Sequence, residues 1–168
     1  IQRAENALLY RLMPKNDVIN LYLTSEQPPH AGILEHNGFI VEGQKSLEPL
    51  KKLFVAHSTW RFDLVAVPSK KEQSQRKNSR RVFLRTPHER ATWLERKGGQ
   101  NGFHPLSVQE RGTSSVHGWH QDNPLAFVSV NFCGVLTVTD PESFWKGYCQ
   151  GIGAERAYGM GMLLITPL

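Results

Sequence analysis

The sequence predicts an α+β fold, and three observations predict it. From residue 60 onward, segments alternate in the order strand, helix, strands, helix, strand. Thr86-Pro87 and Asp140-Pro141 each open a helical pattern, and each pattern runs into glycine. Leu125 to Thr139 alternates apolar and polar residues for an unusually long stretch. This order suits a ferredoxin-like (RRM-like) βαββαβ sheet with both helices on one face. Residues before 60 read as the later part of a similar unit, with its opening strand and helix absent.

Ala7 to Met13 reads as a strand, and Val18 to Thr24 as its partner, with Ile19, Leu21 and Leu23 on one face. Pro14-Lys15-Asn16-Asp17 between them is turn chemistry, so the pair predicts a hairpin. Pro28-Pro29 stops it. Gly38 to Val41 predicts a weak strand. Ser46 caps a short helix carrying Leu47, Leu50, Leu53 and Phe54. Trp60 to Val67 is a strand ended by Pro68.

Lys70 to Arg81 holds Lys70, Lys71, Arg76, Lys77, Arg80 and Arg81 against one acidic residue, Glu72, and reads as a loop near a unit boundary. Val82 to Leu84 is short and extended. Thr86 as N-cap, Pro87 at the first helical position and Glu89 three residues on predict a capping box. Ala91, Trp93 and Leu94 give that helix an apolar side, and Gly98-Gly99 is expected to end it. Phe103 to Val108 predicts a strand and Glu110 to Asn123 a polar, mobile hairpin tip. In the long alternating segment, Ala126, Val128, Val130, Phe132, Leu136 and Val138 share a face, and Gly134 marks a bend or bulge. Asp140-Pro141 starts a helix through Phe144, Trp145 and Tyr148, and an apolar strand closes the chain.

The 168 residues fit one domain or two small ones. The formal charge of +5 favours a nucleic acid or other anionic partner without proving one. Cys133 and Cys149 are too few for a disulfide scaffold or a cysteine-based zinc site, and no metal or other cofactor is expected. No signal peptide or membrane-length apolar run is seen, so a cytoplasmic protein is the expectation. The chain starts at Ile1 rather than methionine, close to a strand pattern, which suggests that a native N-terminal segment is missing.

Gly151, Gly153, Gly159 and Gly161 lie between the last helix and the last strand, with Arg156 among them. Glycine permits positive φ and close backbone approach, successive amides can form an anion-binding concavity, and arginine adds a fork for phosphate. A crowded turn would use the same glycines, and Glu155 argues against an all-cation cradle.

Several ordered blocks resemble the CasE family of CRISPR repeat-processing endoribonucleases. They are Arg61 to Pro68, Val82 to Lys97 with Trp93-Leu94-Glu95-Arg96-Lys97, Phe132-Cys133-Gly134-Val135-Leu136-Thr137-Val138, and Gly151-Ile152-Gly153 through Gly159-Met160-Gly161-Met162-Leu163-Leu164. Ala7 to Gln27 resembles strands of that family's first domain, less specifically. The resemblance implies tandem ferredoxin-like domains, here a partial one over 1–68 and a second over 69–168. The strand at 60–67 is shared between them or belongs to the second. It also implies binding of a CRISPR repeat stem-loop and metal-independent cleavage at the base of the stem. In that chemistry a 2′-hydroxyl attacks the adjacent phosphate, leaving a cyclic phosphate and a 5′-hydroxyl. The product RNA, the mature crRNA, stays bound, and other Cascade subunits are the expected partners.

The family's catalytic histidine and a nearby tyrosine lie on the first helix of its first domain, before the point where this sequence begins, so no residue here is assigned as catalytic. Of His57, His88, His104, His117 and His120, His88 sits at a helix N-terminus, a poor place for an imidazolium. His117 and His120 have part of a metal spacing but no third ligand, and read as surface residues. The resemblance makes Lys70, Lys71, Arg76, Arg80, Arg81, Arg111 and Arg156 the candidates for RNA contact. A-form RNA offers phosphates and 2′-hydroxyls more readily than base edges. Tyr10, Tyr22 and the tryptophans can stack on unpaired bases, although core packing is their commoner role. A noncatalytic crRNA-binding scaffold and a ferredoxin-like protein-interaction module remain as alternatives.

Overall fold

The computed structural model describes residues 8–28, 30–72 and 81–168. Strands β1 (Leu9–Lys15) and β2 (Val18–Thr24) form a two-stranded antiparallel hairpin. Its turn is Asn16-Asp17 alone, with Asn16 at φ 55°. Pro14 and Lys15, expected in the turn, continue β1, because a two-residue connection is closed by the Lys15–Val18 pair. The apolar side chains of β2 do not form a buried face: Ile19 is 66% exposed.

Two short helices follow, α1 (Ala31–His36) and α2 (Glu48–Lys51). The weak strand expected at Gly38 to Val41 is absent: Asn37 and Gly38 close α1 by hydrogen bonds to its last carbonyls, and extended chain follows without a strand partner. The second helix forms where Ser46 Oγ accepts from the Glu48 amide at 3.3 Å, but it ends at Lys51, short of Leu53 and Phe54.

The larger sheet has four antiparallel strands in the order β6-β7-β3-β8, where β3 is Thr59–Ala66, β6 Phe103–His120, β7 Asn123–Val138 and β8 Leu163–Pro167. Helix α3 (Pro87–Gln100) joins β3 to β6, and α4 (Pro141–Gln150) joins β7 to β8. The predicted βαββαβ order is therefore present, with β3 a central strand. Between β3 and α3 stands a small hairpin, β4 (Ser69–Lys71) with β5 (Arg81–Phe83). Lys70, Lys71 and Arg81, read from sequence as loop residues, are thus in strands, since Lys70 pairs with Val82 and Lys71 with Arg81.

Alternation decides which face is buried. Trp60, Phe62, Leu64 and Ala66 of β3 meet Val130, Phe132, Leu136 and Val138 of β7 beneath Trp93 and Leu94 of α3 and Phe144 of α4. Each such large side chain contributes on the order of 1.5–3 kcal/mol by leaving water. Thr86 caps α3 as expected: its Oγ1 accepts from the Glu89 amide at 3.2 Å and Glu89 Oε2 accepts from the Thr86 amide at 3.2 Å. Those bonds hold the Glu89 carboxyl below its ordinary pKa.

Gly98 does not end α3, which runs to Gln100. A Cβ at Gly98 would lie 2.6 Å from the Phe103 carbonyl oxygen, so glycine there permits close approach rather than termination. The expected flexible tip at Glu110 to Asn123 is instead ordered strand: β6 and β7 pair all the way to His120 and Asn123, forming a long two-stranded arm. Pairing satisfies the backbone despite the polar sequence. Gly134 continues β7 opposite Val108, and the irregularity lies next to it, between Pro105 and Ser107 of β6, where the Ser107 carbonyl packs onto Gly134 too closely for any Cβ.

Candidate nucleic-acid interface

The glycine-rich turn is a packed bridge between the β1–β2 hairpin and the larger sheet. Gly151 ends α4 at φ 81°. The Ile152 amide then donates to the Gly161 carbonyl at 2.8 Å, and the Gly161 amide to the Val65 carbonyl of β3 at 2.7 Å. Those two amides are committed to protein and cannot hold an anion. On the other side, a Cβ at Gly159 would meet the Tyr10 ring at 2.9 Å, one at Gly151 would meet Leu9 Cδ1 at 2.8 Å, and one at Gly153 the Trp93 ring at 3.2 Å. Tyr10 Oη also donates to the Ala157 carbonyl at 3.3 Å. Tyr10 therefore packs into the fold.

Arg156 remains exposed on one 3₁₀ turn, Arg156–Tyr158. Its Nη1 donates to the Gln150 carbonyl at the end of α4, 2.8 Å away. The guanidinium carries further N–H donors on this exposed side chain. Close to it stands Lys97, in the last turn of α3. Burial first, then the charges of Arg96, Arg81 and Arg156, push the Lys97 ammonium below its ordinary pKa. Two of the predicted cations, Arg81 from the small hairpin and Arg156 from the terminal turn, thus act electrostatically on a third that sequence reasoning missed. Basic residues in the last turn of a helix usually complement its dipole, so Arg96-Lys97 carried no separate signal.

The other candidates are distributed. Lys70 Nζ lies 3.4 Å from Glu89 Oε1 in an exposed pair worth little. Lys71 is exposed on β4. Arg76 and Arg80 lie outside the described residues. Arg111 sits at a register shift of β6, between Glu110 and Gly112, with Nη1 3.3 Å from Asp63 Oδ2. The same carboxylate pairs through Oδ1 with Arg11 of β1, and Arg11 Nη1 donates to the Asp63 carbonyl at 3.3 Å. On the helical side of the sheet, Arg90 forms a forked pair with Glu110 at 2.6 and 2.8 Å, and these hydrogen bonds raise the Arg90 pKa.

A cleft of about 450 Å³ opens between the β4–β5 hairpin and the arm. Arg81, Val82, Phe83 and Arg85 line one wall, and Ser115, His117, Ala126 and Val128 the other. His57, His88 and His104 are exposed, and the side chain of His120 is not among those described. Trp60 and Trp93 are buried in the core, Trp145 packs against Phe54, and Trp119 is 74% exposed on the arm. Among the described residues no group of three or more histidine, cysteine, aspartate or glutamate side chains is arranged to hold a metal, and no helix is long and apolar enough to cross a membrane.

A family model described as "CRISPR associated protein" matches residues 1–167. The chain belongs to this CRISPR-associated family. A curated member, the CRISPR-associated endoribonuclease Cse3 of Thermus thermophilus, is 29% identical over 183 residues, covering 99% of this chain and 83% of that protein. Among solved structures of CRISPR-associated proteins, Cse3 bound to a 19-nucleotide RNA matches with a TM-score of 0.79 and 26% identity, over 96% of this chain and 81% of that one. Thermus thermophilus Cse3 bound to an RNA representing a pre-cleavage complex matches at 0.77 and 26%, over 98% and 80% of the two chains. The crystal structure of Cas6e from Escherichia coli K-12 matches at 0.69 with 23% identity, over 96% and 84%, a likeness of fold.

Proposed function

We propose that this CRISPR-associated protein is a repeat-processing endoribonuclease that cuts precursor crRNA at the base of the repeat stem-loop and retains the product within a Cascade-type complex. The observation that carries the reading is the alignment of this chain, over nearly its whole length, with an endoribonuclease solved bound to RNA, in a fold that leaves Arg81 and Arg156 exposed. After burial, the charges of Arg96, Arg81 and Arg156 disfavour the Lys97 ammonium in the free protein. A phosphate backbone relieves that repulsion, so the arrangement favours a polyanion.

Cleavage is read as metal-independent: the neighbouring 2′-hydroxyl attacks the scissile phosphate, the 5′-oxygen leaves, and fixed cations stabilise the dianionic phosphorane. The proton acceptor is not assigned to a residue of this chain. Arg111 and Arg156 are assigned to phosphate contact, with Lys70, Lys71 and Arg81 along the stem. The fold is read as two ferredoxin-like units, with β1–β2 in the first and β3 counted with the second because it pairs with β7 and β8. The terminal turn bridges them and sets the spacing of their cations. Incubating the protein with its cognate repeat RNA in EDTA tests the reading. Fragments ending in a 2′,3′-cyclic phosphate support it, and a stem-loop bound but left intact supports the noncatalytic scaffold instead.

A further inference from the structure

The arm carries the core face of the sheet beyond the helices that cover it. Ser115 pairs with Val128 and His117 with Ala126, in step with Val130 and Phe132 nearer the core. Val130 and Phe132 are fully buried, whereas Ala126 is exposed and Val128 only partly covered. What stands opposite this uncovered strip is the β4–β5 hairpin and the residues leading into α3. The wall they present combines apolar Val82 and Phe83 with two arginines. Among the described residues Arg81 makes a long contact, 3.5 Å, to Ser69 Oγ, and the exposed Arg85 guanidinium has no partner. Ser115 and His117 add hydrogen-bonding side chains on the facing wall. Glu72 is the single acid of the lining among the described residues.

A mainly polar lining with some apolar side chains and two cationic positions matches an amphipathic anion, with a flat body and a charged edge. The cleft volume falls within the roughly 300–1,000 Å³ of small-ligand sites, which accommodates one nucleotide. A paired stem presents only its sugar-phosphate surface to such an opening, whereas an unpaired residue can place its base inside. Arg81 lines the cleft and pairs in the β4–β5 hairpin with Lys71, one of the residues assigned above to the stem.

We propose that the cleft between the β4–β5 hairpin and the β6–β7 arm binds one unpaired ribonucleotide flanking the repeat stem. Its base lies on Val82, Phe83, Ala126 and Val128, and its phosphate between Arg81 and Arg85. This rests on the RNA-binding reading above and adds a single-strand subsite to it. The cleft selects RNA with a single-stranded flank over a bare stem-loop.

The test compares the affinity of the protein for a blunt repeat stem-loop and for the same stem-loop with a short single-stranded extension on either side. One seated base is expected to improve binding roughly tenfold. Arg85→Gln and Ala126→Glu, both at exposed positions, are expected to erase that gain while leaving blunt stem-loop affinity within about twofold. Equal affinity of the wild type for the two RNAs overturns the proposal, as does an equal loss on both RNAs in the variants. Failure of the wild type to bind either RNA removes the endoribonuclease reading and the subsite with it. Thermal melting of each variant separates lost contacts from lost fold. As a second readout, a 4-thiouridine in the extension is expected to crosslink to the peptide carrying Val82 and Phe83 or that carrying Ala126 and Val128. Crosslinking confined to other segments overturns the placement.

Discussion

Arg11, on the β1–β2 hairpin, and Asp63, on the central strand of the larger sheet, form the ion pair that fastens one to the other. Arg11 is 5% exposed, and both its terminal nitrogens reach Asp63, one the carboxylate and one the backbone carbonyl. Buried pairs are costly to break from one side, because the remaining charge loses its partner without regaining water. Asp63→Ala is therefore expected to destabilise the protein by about 3 kcal/mol in urea unfolding. Arg11→Met combined with Asp63→Leu is expected to cost much less than Asp63→Ala alone. A double variant as unstable as the single would show that shape rather than charge holds the hairpin.

Lys97 predicts opposite signs for stability and binding. Its ammonium is held below the usual pKa by burial and by Arg96, Arg81 and Arg156, so its charged form is disfavoured in the free protein. Stability relative to an unperturbed lysine is therefore lost below the lowered folded value and recovered as pH rises toward the unfolded one. Lys97→Gln is expected to leave the melting temperature unchanged or slightly raised. RNA affinity should fall several-fold, with the salt dependence shallower by about one counterion. Loss of both stability and affinity would make Lys97 a packing residue.

The terminal turn tolerates no side chain at its crowded glycines. Gly161 has φ 86°, and a Cβ there would lie 2.7 Å from the Ile152 carbonyl oxygen. Gly161→Ala is expected to cost roughly 1–3 kcal/mol from backbone conformation alone and to displace Arg156. The measurements are thermal melting together with RNA affinity. An unchanged melt would mean that the turn is loosely held.

Asp140 gives a pH prediction. The Ser143 hydroxyl donates to Oδ2 at 2.8 Å, and the amides of Ser143 and Glu142 donate to Oδ1 at 3.3 and 3.0 Å. The Ser143 bonds, side chain first, lower its pKa. A lowered folded value means that the stabilisation is present above the ordinary carboxylate pKa and is lost as pH falls through the lowered one. Asp140→Asn keeps a good cap without the titration. Its melting temperature is expected to depend less on pH across the acid range than that of the wild type. Identical acid profiles would remove Asp140 from the account.

The second unit was legible because its signals are local. Thr86-Pro87 with Glu89, Asp140-Pro141 and the alternation through Val130, Phe132, Leu136 and Val138 each specify an element without reference to distant residues. The outer arm was not legible: Thr113-Ser114-Ser115 and Gly118 read as loop, and only pairing with Leu125 to Val130 makes them strand. Gly98 misled for a similar reason, since its role is to admit Phe103 rather than to end a helix. Among the cations, Arg81 and Arg156 were visible as residues, but their electrostatic effect on Lys97 depends on tertiary structure. Arg85 and Lys97 carried no sequence signal because a basic residue beside a helix is ordinary.

The claim that this surface serves to cut RNA is tested most directly by the products formed when full-length protein meets its cognate repeat RNA in EDTA. The account predicts one cut at the base of the stem, with a 2′,3′-cyclic phosphate on one fragment and a 5′-hydroxyl on the other. Cleavage that requires a divalent metal, or ends lacking the cyclic phosphate, would contradict it.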